Sequence, residues 1–288
     1  MRQFILEKQT VKNGVVTLEG KDFRYLRQVL RVKAGDMVNI RLQNGQLQNS
    51  TVAKIDDKAK KITLQFCANT GTGTVTGAAT ADPAAGSITR GVQSTEIDGK
   101  LPDVEYWLFQ FLPRPQKFEL IVRQATECGV SVIVPVIGEY TEKSSAAALE
   151  GNKKERLERI VREARQQSGS PVDTKILPPM GLEEAVEKWK EFCGAGEAGD
   201  EAAAGKSAAG FVLSERDDCS ETLKRVVSQS ACLKKVAVAV GSEGGISPEE
   251  VKLLQEKGLF HPIHFAVNIL RCETAALYGI AAVQSAIN

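Results

Sequence analysis

The sequence has no long apolar run. Among its 288 residues none of the apolar stretches approaches the roughly 18 residues that a membrane-spanning helix needs, and the first ten residues, MRQFILEKQT, lack the apolar core of a signal peptide. The composition, 42% hydrophobic and 25% charged, is that of an ordinary globular protein. We therefore expect a cytoplasmic protein without a membrane partner.

The sequence also has few of the side chains that bind metals. Its two histidines, His261 and His264, fall in the segment HPIHF, where a strand would direct them to opposite faces. Its cysteines show neither a C-x-x-C pair nor a spacing typical of a zinc site or a disulfide framework. We predict no metal site, structural histidines and free thiols. The cysteines are Cys67, Cys128, Cys193, Cys219, Cys232 and Cys272.

Positive charge is concentrated in the first part of the chain. Residues 1–67 contain 13 Lys and Arg against 6 Asp and Glu, a net charge of +7, although the whole chain carries only +1. Such a basic region is typical of a domain that binds a polyanion such as RNA. A solvated basic surface without a partner is the alternative interpretation.

Residues 1–67 are predicted to be mostly β, because five short runs rich in β-branched residues alternate with turn signals. One helix is predicted at KDFRYLRQVLR, with an apolar stripe at helical spacing. Arg24, Arg27 and Arg31 follow each other at steps of three and four on another face of this helix. Together they could contact one phosphate backbone, and each singly is equally consistent with a charged solvent face.

Two segments are poor in residues that could fill a core. Residues 68–103 are dominated by Gly, Ala, Thr and Ser and are predicted to be a flexible linker or surface insertion. Residues 194–210, GAGEAGDEAAAGKSAAG, have a similar composition and are predicted to be a disordered insertion.

From Val104 to the end, strand-like and helix-like segments alternate. VEYWLFQFL and VSVIVPVI are unbroken apolar runs of the kind that form buried parallel strands. Repeated β-α alternation predicts an α/β domain over residues 104–288, with a mostly parallel sheet and helices on both faces.

Two loops near the C-terminus are the main candidates for chemistry. GSEGGISPEE (Gly241 to Glu250) and NILRCETAALYG (Asn268 to Gly279) each follow a strand-like run and open a helix. Ligands bind beyond the carboxyl ends of parallel strands, where both loops are expected. The first loop matches neither the dinucleotide nor the P-loop fingerprint. A glycine-rich turn into a helix capped by Ser247 and Glu250 is its alternative interpretation.

The second loop brings Arg271 and Glu273 to the start of a helix. An arginine at the mouth of a sheet needs an anionic or carbonyl partner. That partner is either a bound ligand or Glu273 itself, in an internal ion pair.

Five segments of the chain together resemble one known family. They are VLRVKAGD (29–36), QATECGV (124–130), EARQQS (163–168), GSEGGISPEE (241–250) and ILRCETA (269–275). With these motifs the chain resembles the SPOUT class of RNA methyltransferases, and specifically the 16S ribosomal RNA uracil N3-methyltransferase family. The similarity covers nearly all of the chain outside the two low-complexity segments.

The resemblance implies a PUA-like β-barrel RNA-binding domain at residues 1–67 and a SPOUT α/β domain with a C-terminal trefoil knot at residues 104–288. It further implies S-adenosyl-L-methionine as cofactor, 16S rRNA or the small ribosomal subunit as partner, and a homodimer. A SPOUT enzyme acting on another rRNA or tRNA nucleotide and a non-catalytic RNA-binding ribosome-assembly factor are the rival interpretations.

Given this resemblance, we predict roles for individual residues. Arg271 is expected to stabilise negative charge on the uracil carbonyls, and Glu273 to orient Arg271 or to help the N3 proton depart. The expected cofactor-binding residues are Leu213, Gly241, Ser242, Glu243, Gly244, Gly245, Ile269, Leu270, Thr274 and Ala275. The expected RNA-binding residues are Arg2, Arg24, Arg27, Arg31 and Lys117.

Three positions depart from the family pattern. Ser242 stands where the family usually has proline, and Phe265 to Asn268 replace a usual Leu-Gly approach to the ILR motif. Gly169 and Ser170 stand where an arginine often follows, which puts one expected RNA or substrate contact in doubt.

Overall fold

The computed structural model divides the chain into two compact units, Gln3–Lys100 and Leu101–Asn288, and each is described by itself. Residues 68–100 of the predicted linker 68–103 and the segment 195–206 lie outside the described residues, as do Arg2 and Cys219. The described residues are 3–6, 11, 14–43, 45–67, 101–147, 149, 153–194, 207–214, 222–230, 232–265 and 268–287.

The first unit contains a five-stranded sheet in the order β1-β3-β4-β5-β2. The strands β1 and β3 are parallel, and the other neighbours are antiparallel. All five predicted β-rich runs form strands. Alternate apolar side chains, such as Leu18, Ile40 and Leu64, are fully buried between the sheet and one helical segment. The strands are β1 (Gln3–Ile5), β2 (Val15–Glu19), β3 (Met37–Arg41), β4 (Leu47–Asp56) and β5 (Lys61–Phe66).

The helical segment of this unit differs from the prediction. An α-helical turn, Gly20–Arg24, continues as a π-helical turn, Tyr25–Val29, and Arg31 follows with a φ of 55°. The wider turn and the left-handed residue break the spacing of three and four on which a shared arginine face depended. The predicted single face of Arg24, Arg27 and Arg31 is therefore wrong.

The second unit contains a seven-stranded sheet in which every described pair is parallel. The order is β12-β10-β11-β6-β7-β8, and β9 also pairs with β7. The predicted mostly parallel α/β architecture is confirmed. The strands are β6 (Glu105–Phe111), β7 (Val132–Ile137), β8 (Lys175–Ile176), β9 (Met180–Gly181), β10 (Ala208–Ser214), β11 (Lys235–Val240) and β12 (Phe260–His264).

Helices cover both faces of this sheet, and each face has its own apolar core. One core packs the sheet against the helices around Ile121, Ile160 and Ile280, and the other packs it against those around Trp189 and Leu254. Within the described residues no helix is long and apolar enough to cross a membrane. The helices are Pro115–Glu127, Lys143–Ala147, Lys153–Ser168, Leu182–Cys193, Leu223–Gln229, Pro248–Gly258 and Cys272–Ile287.

The strand β10 begins inside the predicted insertion 194–210. Ala208, Ala209 and Gly210 pair with β11, so the prediction of disorder is wrong for these residues. At Gly210 the small size is a packing requirement, because a Cβ there would lie 2.5 Å from the ring of Phe260 on β12. A composition typical of disorder is here the composition of a tightly packed strand.

Candidate functional site

A cavity of about 910 Å³ lies at the carboxyl ends of β10, β11 and β12. Both predicted loops line it, with Val240 to Ile246 on one side and Asn268 to Cys272 on the other. Its volume is that of a site for a whole small molecule. The prediction that the two loops converge on one ligand site at the carboxyl edge therefore agrees with the structure.

The first wall, Val240 to Ile246, is fixed by its own backbone. Ser242 and Gly245 form an isolated bridge, and the Gly245 N–H donates to the Ser242 carbonyl at 3.1 Å. The Ser242 hydroxyl accepts from the Gly244 N–H at 3.3 Å, so serine closes this turn where the related family usually has proline. A Cβ on Gly241 would lie 2.7 Å from the Gly245 carbonyl carbon, which is too close, so this position requires glycine.

The helix that follows the first wall starts with the predicted capping box. The Glu250 N–H donates to the Ser247 hydroxyl at 3.3 Å, and the Ser247 N–H donates to Glu250 Oε2 at 2.9 Å. The other carboxylate oxygen of Glu250 accepts from the Glu139 N–H at 2.8 Å. The capping box therefore also fastens the loop after β7 to this wall.

The second wall, Asn268 to Cys272, is open. Ile269 is 81% exposed and Arg271 is also exposed. The Arg271 carbonyl accepts from the Ala275 N–H at 2.7 Å, which starts the helix. The Arg271 guanidinium forms no hydrogen bond or ion pair with any described residue, so the alternative of an internal pair with Glu273 is wrong.

Lys117, in the first turn of the helix after β6, lies between the two walls. Its Nζ is 3.4 Å from Glu243 Oε1 and 3.4 Å from Glu273 Oε2. The sequence predicted Lys117 as an RNA contact and missed its place in the cavity lining. The sequence could have predicted this place for Lys117, because a helix that follows a parallel strand begins at the carboxyl edge of the sheet, where ligands bind.

The electrostatics of this cluster keep its charges in place. Burial would lower the pKa of Lys117, but Cys272, Glu243 and Glu273 raise it above 10.5. Burial would raise the pKa of Glu273, but its own backbone N–H, the Cys272 thiol and Lys117 lower it below 4.5. Burial, with the neighbouring carboxylate of Glu273, raises the pKa of the Cys272 thiol to about 12. At neutral pH Lys117 is thus a charged ammonium, Glu273 an ionised carboxylate and Cys272 a neutral thiol.

Most of the predicted cofactor residues lie in the cavity wall. Thr274 is the exception, since it is exposed and lies outside the lining. The sequence missed Tyr140, Gln255 and His264, which also line the cavity. His264 was predicted to be structural, and its Nδ1 lies 3.2 Å from the Ser214 carbonyl. The lining residues among those predicted are Leu213, Gly241, Ser242, Glu243, Gly244, Gly245, Ile269, Leu270 and Ala275.

The predicted RNA contacts fall in different environments. In the first unit Arg24 and Arg31 are exposed. Arg27 instead binds both carboxylate oxygens of Asp57 at 3.0 Å and the Val32 carbonyl at 2.9 Å. This arginine therefore has a structural partner within its own unit.

The departure at Gly169 and Ser170 lies away from the cavity. Thr174, just beyond it, donates to the Val130 carbonyl at 2.7 Å, before the start of β7. Because the strands are parallel, this segment is at the amino edge of the sheet, opposite the cavity. Within one chain, the missing arginine therefore does not affect the cavity itself.

Comparison with known proteins identifies the class. The family described as "RNA methyltransferase domain" matches residues 100–284, and the family described as "RNA methyltransferase PUA domain" matches residues 18–65. The fold, the cavity and these matches define the protein as an RNA methyltransferase with a PUA domain.

Within this class, the relatives carry one name. A protein of Aquifex aeolicus named ribosomal RNA small subunit methyltransferase E is 33% identical over 184 residues, which cover 63% of this chain and 69% of the relative. A Borreliella burgdorferi protein named ribosomal RNA small subunit methyltransferase E 2 is 24% identical over 98% of this chain and 96% of its own. The chain belongs to the ribosomal RNA small subunit methyltransferase E family, which confirms the resemblance found in the sequence.

Two solved structures share the fold of the whole chain. Ribosomal RNA small subunit methyltransferase E from Neisseria gonorrhoeae, bound to S-adenosyl methionine, is 22% identical, with a TM-score of 0.68 over 99% of this chain and 97% of its own. A Legionella pneumophila protein solved in complex with the bound cofactor SAM is 19% identical, with a TM-score of 0.65 over 99% of this chain and 96% of its own.

Proposed function

We propose that this protein transfers the methyl group of S-adenosylmethionine to N3 of a uracil in 16S rRNA of the small ribosomal subunit. One observation carries the proposal: the two loops build a single cavity, and the Arg271 guanidinium is available in its wall. The name of the relatives supports the choice of small-subunit rRNA. The family resemblance supports the uracil and its N3 position.

The residues present fit S-adenosylmethionine. The cavity of about 910 Å³ offers main-chain groups from Gly241 to Gly245 and apolar surface from Leu213, Leu270 and Ala275. Polar groups of the backbone suit an adenosine and an amino acid, and the apolar side chains suit the base and the methylene groups. When bound, S-adenosylmethionine supplies an electrophilic methyl group on a sulfonium ion.

Arg271 acts on the acceptor. As the N3 proton of uracil leaves, negative charge spreads over the two neighbouring carbonyl oxygens, and a guanidinium can donate to them. Since Glu273 is held by Lys117, orientation of Arg271 by Glu273 lacks support. Acceptance of the N3 proton by Glu273 remains a prediction, and its lowered pKa makes it a weak base.

The first unit supplies RNA affinity. Arg24 and Arg31 are exposed, and residues 1–67 carry a net charge of +7. We expect RNA binding to weaken as salt rises, because each phosphate contact releases counterions. Arg24→Ala with Arg31→Ala should lower the steepness of this salt dependence in a filter-binding assay. An unchanged slope would contradict their contact with phosphates.

A homodimer and a trefoil knot belong to the same proposal. The Cys272–Ile287 helix has Glu273 as its single charged residue and leaves Tyr278 40% exposed, close in sequence to the 81% exposed Ile269. Such an apolar surface favours a second copy. Light scattering should give a molecular mass of twice 31.1 kDa.

The last strand, β12, returns beside β10, past β11, which is compatible with a knot. A crystal structure with an unknotted trace would contradict the knot.

The decisive experiment uses labelled S-adenosylmethionine. The protein is incubated with small ribosomal subunits that lack the modification, and the labelled nucleotide is mapped. We expect one uracil methylated at N3. Transfer to another position would support the rival SPOUT enzyme, and no transfer together with no thermal shift by the cofactor would support a non-catalytic factor. Recovery of the protein with ribosomal subunits from the soluble cell fraction tests the proposed cytoplasmic location.

A further inference from the structure

Lys117 joins the two walls of the cavity through charge. Glu243 belongs to the loop after β11 and Glu273 to the helix start after β12, and the Lys117 ammonium is 3.4 Å from a carboxylate oxygen of each. The side chains are partly buried, with 29% of Lys117, 36% of Glu243 and 17% of Glu273 exposed. Partial burial makes such pairs stronger than pairs on an open surface.

The helix that carries Lys117 is itself fastened to the first wall. The Arg114 N–H, at the N-cap of this helix, donates to the same Glu243 oxygen at 3.3 Å. Pro115 fixes the first turn of the helix. Lys117 is therefore held at one end by a rigid element, while its ammonium reaches the more open second wall.

Two cationic side chains of the cavity, Lys117 and Arg271, have different surroundings. Lys117 engages Glu273, and the Arg271 guanidinium has no partner among the described residues. If Lys117 lost its charge, Glu273 would keep a carboxylate without its cation, two residues from Arg271. An unpaired carboxylate would then attract the guanidinium and withdraw it from a substrate.

We propose that Lys117 is a positioning residue for methyl transfer, which holds the two cavity walls at a fixed spacing and keeps Glu273 from neutralising Arg271. This role rests on the proposed function, because it concerns the same site. It replaces the sequence-based prediction that Lys117 contacts RNA phosphates.

The test compares Lys117→Met with Lys117→Arg. Binding of S-adenosylmethionine is measured by calorimetry without RNA, and kcat and KM are measured on small subunits. We expect Lys117→Met to weaken cofactor binding and to lower kcat by about 10- to 100-fold, as displaced catalytic groups do. Lys117→Arg, which keeps the charge, should restore most of both. Arg123→Met, an exposed cation on the same helix, should match the wild type.

A double variant separates positioning from simple loss of charge. Lys117→Met with Glu273→Gln should lower activity by less than the two single losses combined, because the carboxylate freed by the first change is gone. Glu243→Gln, which removes one arm of the bridge, should lower cofactor affinity in the same direction and by less. Thermal unfolding of each variant verifies that it folds.

Three results would overturn the inference. These are wild-type kcat and cofactor affinity in Lys117→Met, a loss confined to a salt-dependent KM for RNA, and strictly additive effects in the double variant. The last two would make Lys117 an RNA contact or an independent residue. Failure of the wild-type protein to bind S-adenosylmethionine would instead overturn the proposed function itself.

Discussion

The two walls of the cavity are built in opposite ways. The first wall, Val240 to Ile246, closes on itself through the Ser242–Gly245 bridge and leads into a capped helix. The second wall, Asn268 to Cys272, exposes Ile269 and Arg271 and is connected to the first through Glu273 and Lys117. One wall is shaped by backbone hydrogen bonds, and the other is positioned by side-chain charge.

This difference indicates a division of labour. A wall made of main-chain groups recognises a ligand of constant shape, which suits a cofactor. A wall that presents a guanidinium without a partner among the described residues suits the reacting group, where charge develops in the transition state. Changes in the second wall should therefore affect turnover, and changes in the first wall should affect binding and stability.

The largest effect is expected in the second wall. Arg271→Ala should lower kcat by about 10²- to 10³-fold, the usual result of removing a donor to a developing oxyanion. Affinity for S-adenosylmethionine should stay close to that of the wild type. Single-turnover methylation and calorimetry measure the two quantities, and Arg159→Ala on an exposed helix face is the control. Full activity in Arg271→Ala would contradict the assignment of Arg271 as a catalytic residue.

The next effect is expected in the first wall. Gly241→Ala places a methyl group 2.7 Å from the Gly245 carbonyl carbon, so the loop must shift. We expect binding of S-adenosylmethionine to weaken by about tenfold or more, which corresponds to about 1.4 kcal/mol. Gly181→Ala, where a Cβ meets nothing within 4 Å, is the matched control. Equal affinities in the two variants would show that the turn tolerates displacement.

A smaller effect is expected where the first wall enters its helix. Ser247→Ala removes the hydroxyl that caps the Glu250 N–H. The free energy of unfolding should fall by about 1 kcal/mol, as for other N-cap serines. Chemical denaturation measures this change, and Ser228→Ala in the Leu223–Gln229 helix serves as a comparison outside the cavity. A larger loss of methylation than of stability would show that the cap also shapes the cofactor site.

The smallest effect is expected from pH. The pKa of Glu273 is lowered, so its contribution to stability is present above 4.5 and is lost as the pH falls through the folded-state pKa. The pKa of Lys117 is raised, so its contribution is present below 10.5 and is lost as the pH rises through the folded-state pKa. Cofactor affinity should thus be nearly constant between about pH 6 and 9. A step in calorimetric affinity within that range would contradict the charge bridge.

The periodic segments could be predicted from the sequence. The strands β6 and β7 lie within the apolar runs VEYWLFQFL and VSVIVPVI, because a strand that is buried on both faces needs apolar side chains at almost every residue. The capping box of Ser247 and Glu250 was also predictable, since its hydrogen bonds are local.

Other features depended on contacts that are distant in sequence. The Ala208–Gly210 segment of β10 has the composition of a disordered loop, and only the ring of Phe260 on the neighbouring strand explains the glycine at position 210. Arg27 was placed on an RNA-binding face, but it bonds Asp57, 30 residues away. Neither partner is visible in a local window.

The sequence by itself determined the family, the β-α alternation and the two loops that line the cavity. These follow from motifs and periodicities that local geometry and burial impose on neighbouring residues. The tertiary structure alone decided that Glu273 pairs with Lys117 and that Arg271 has no partner among the described residues. Charge pairing depends on distances of a few ångströms between elements more than 100 residues apart, and folding of the sheet sets those distances.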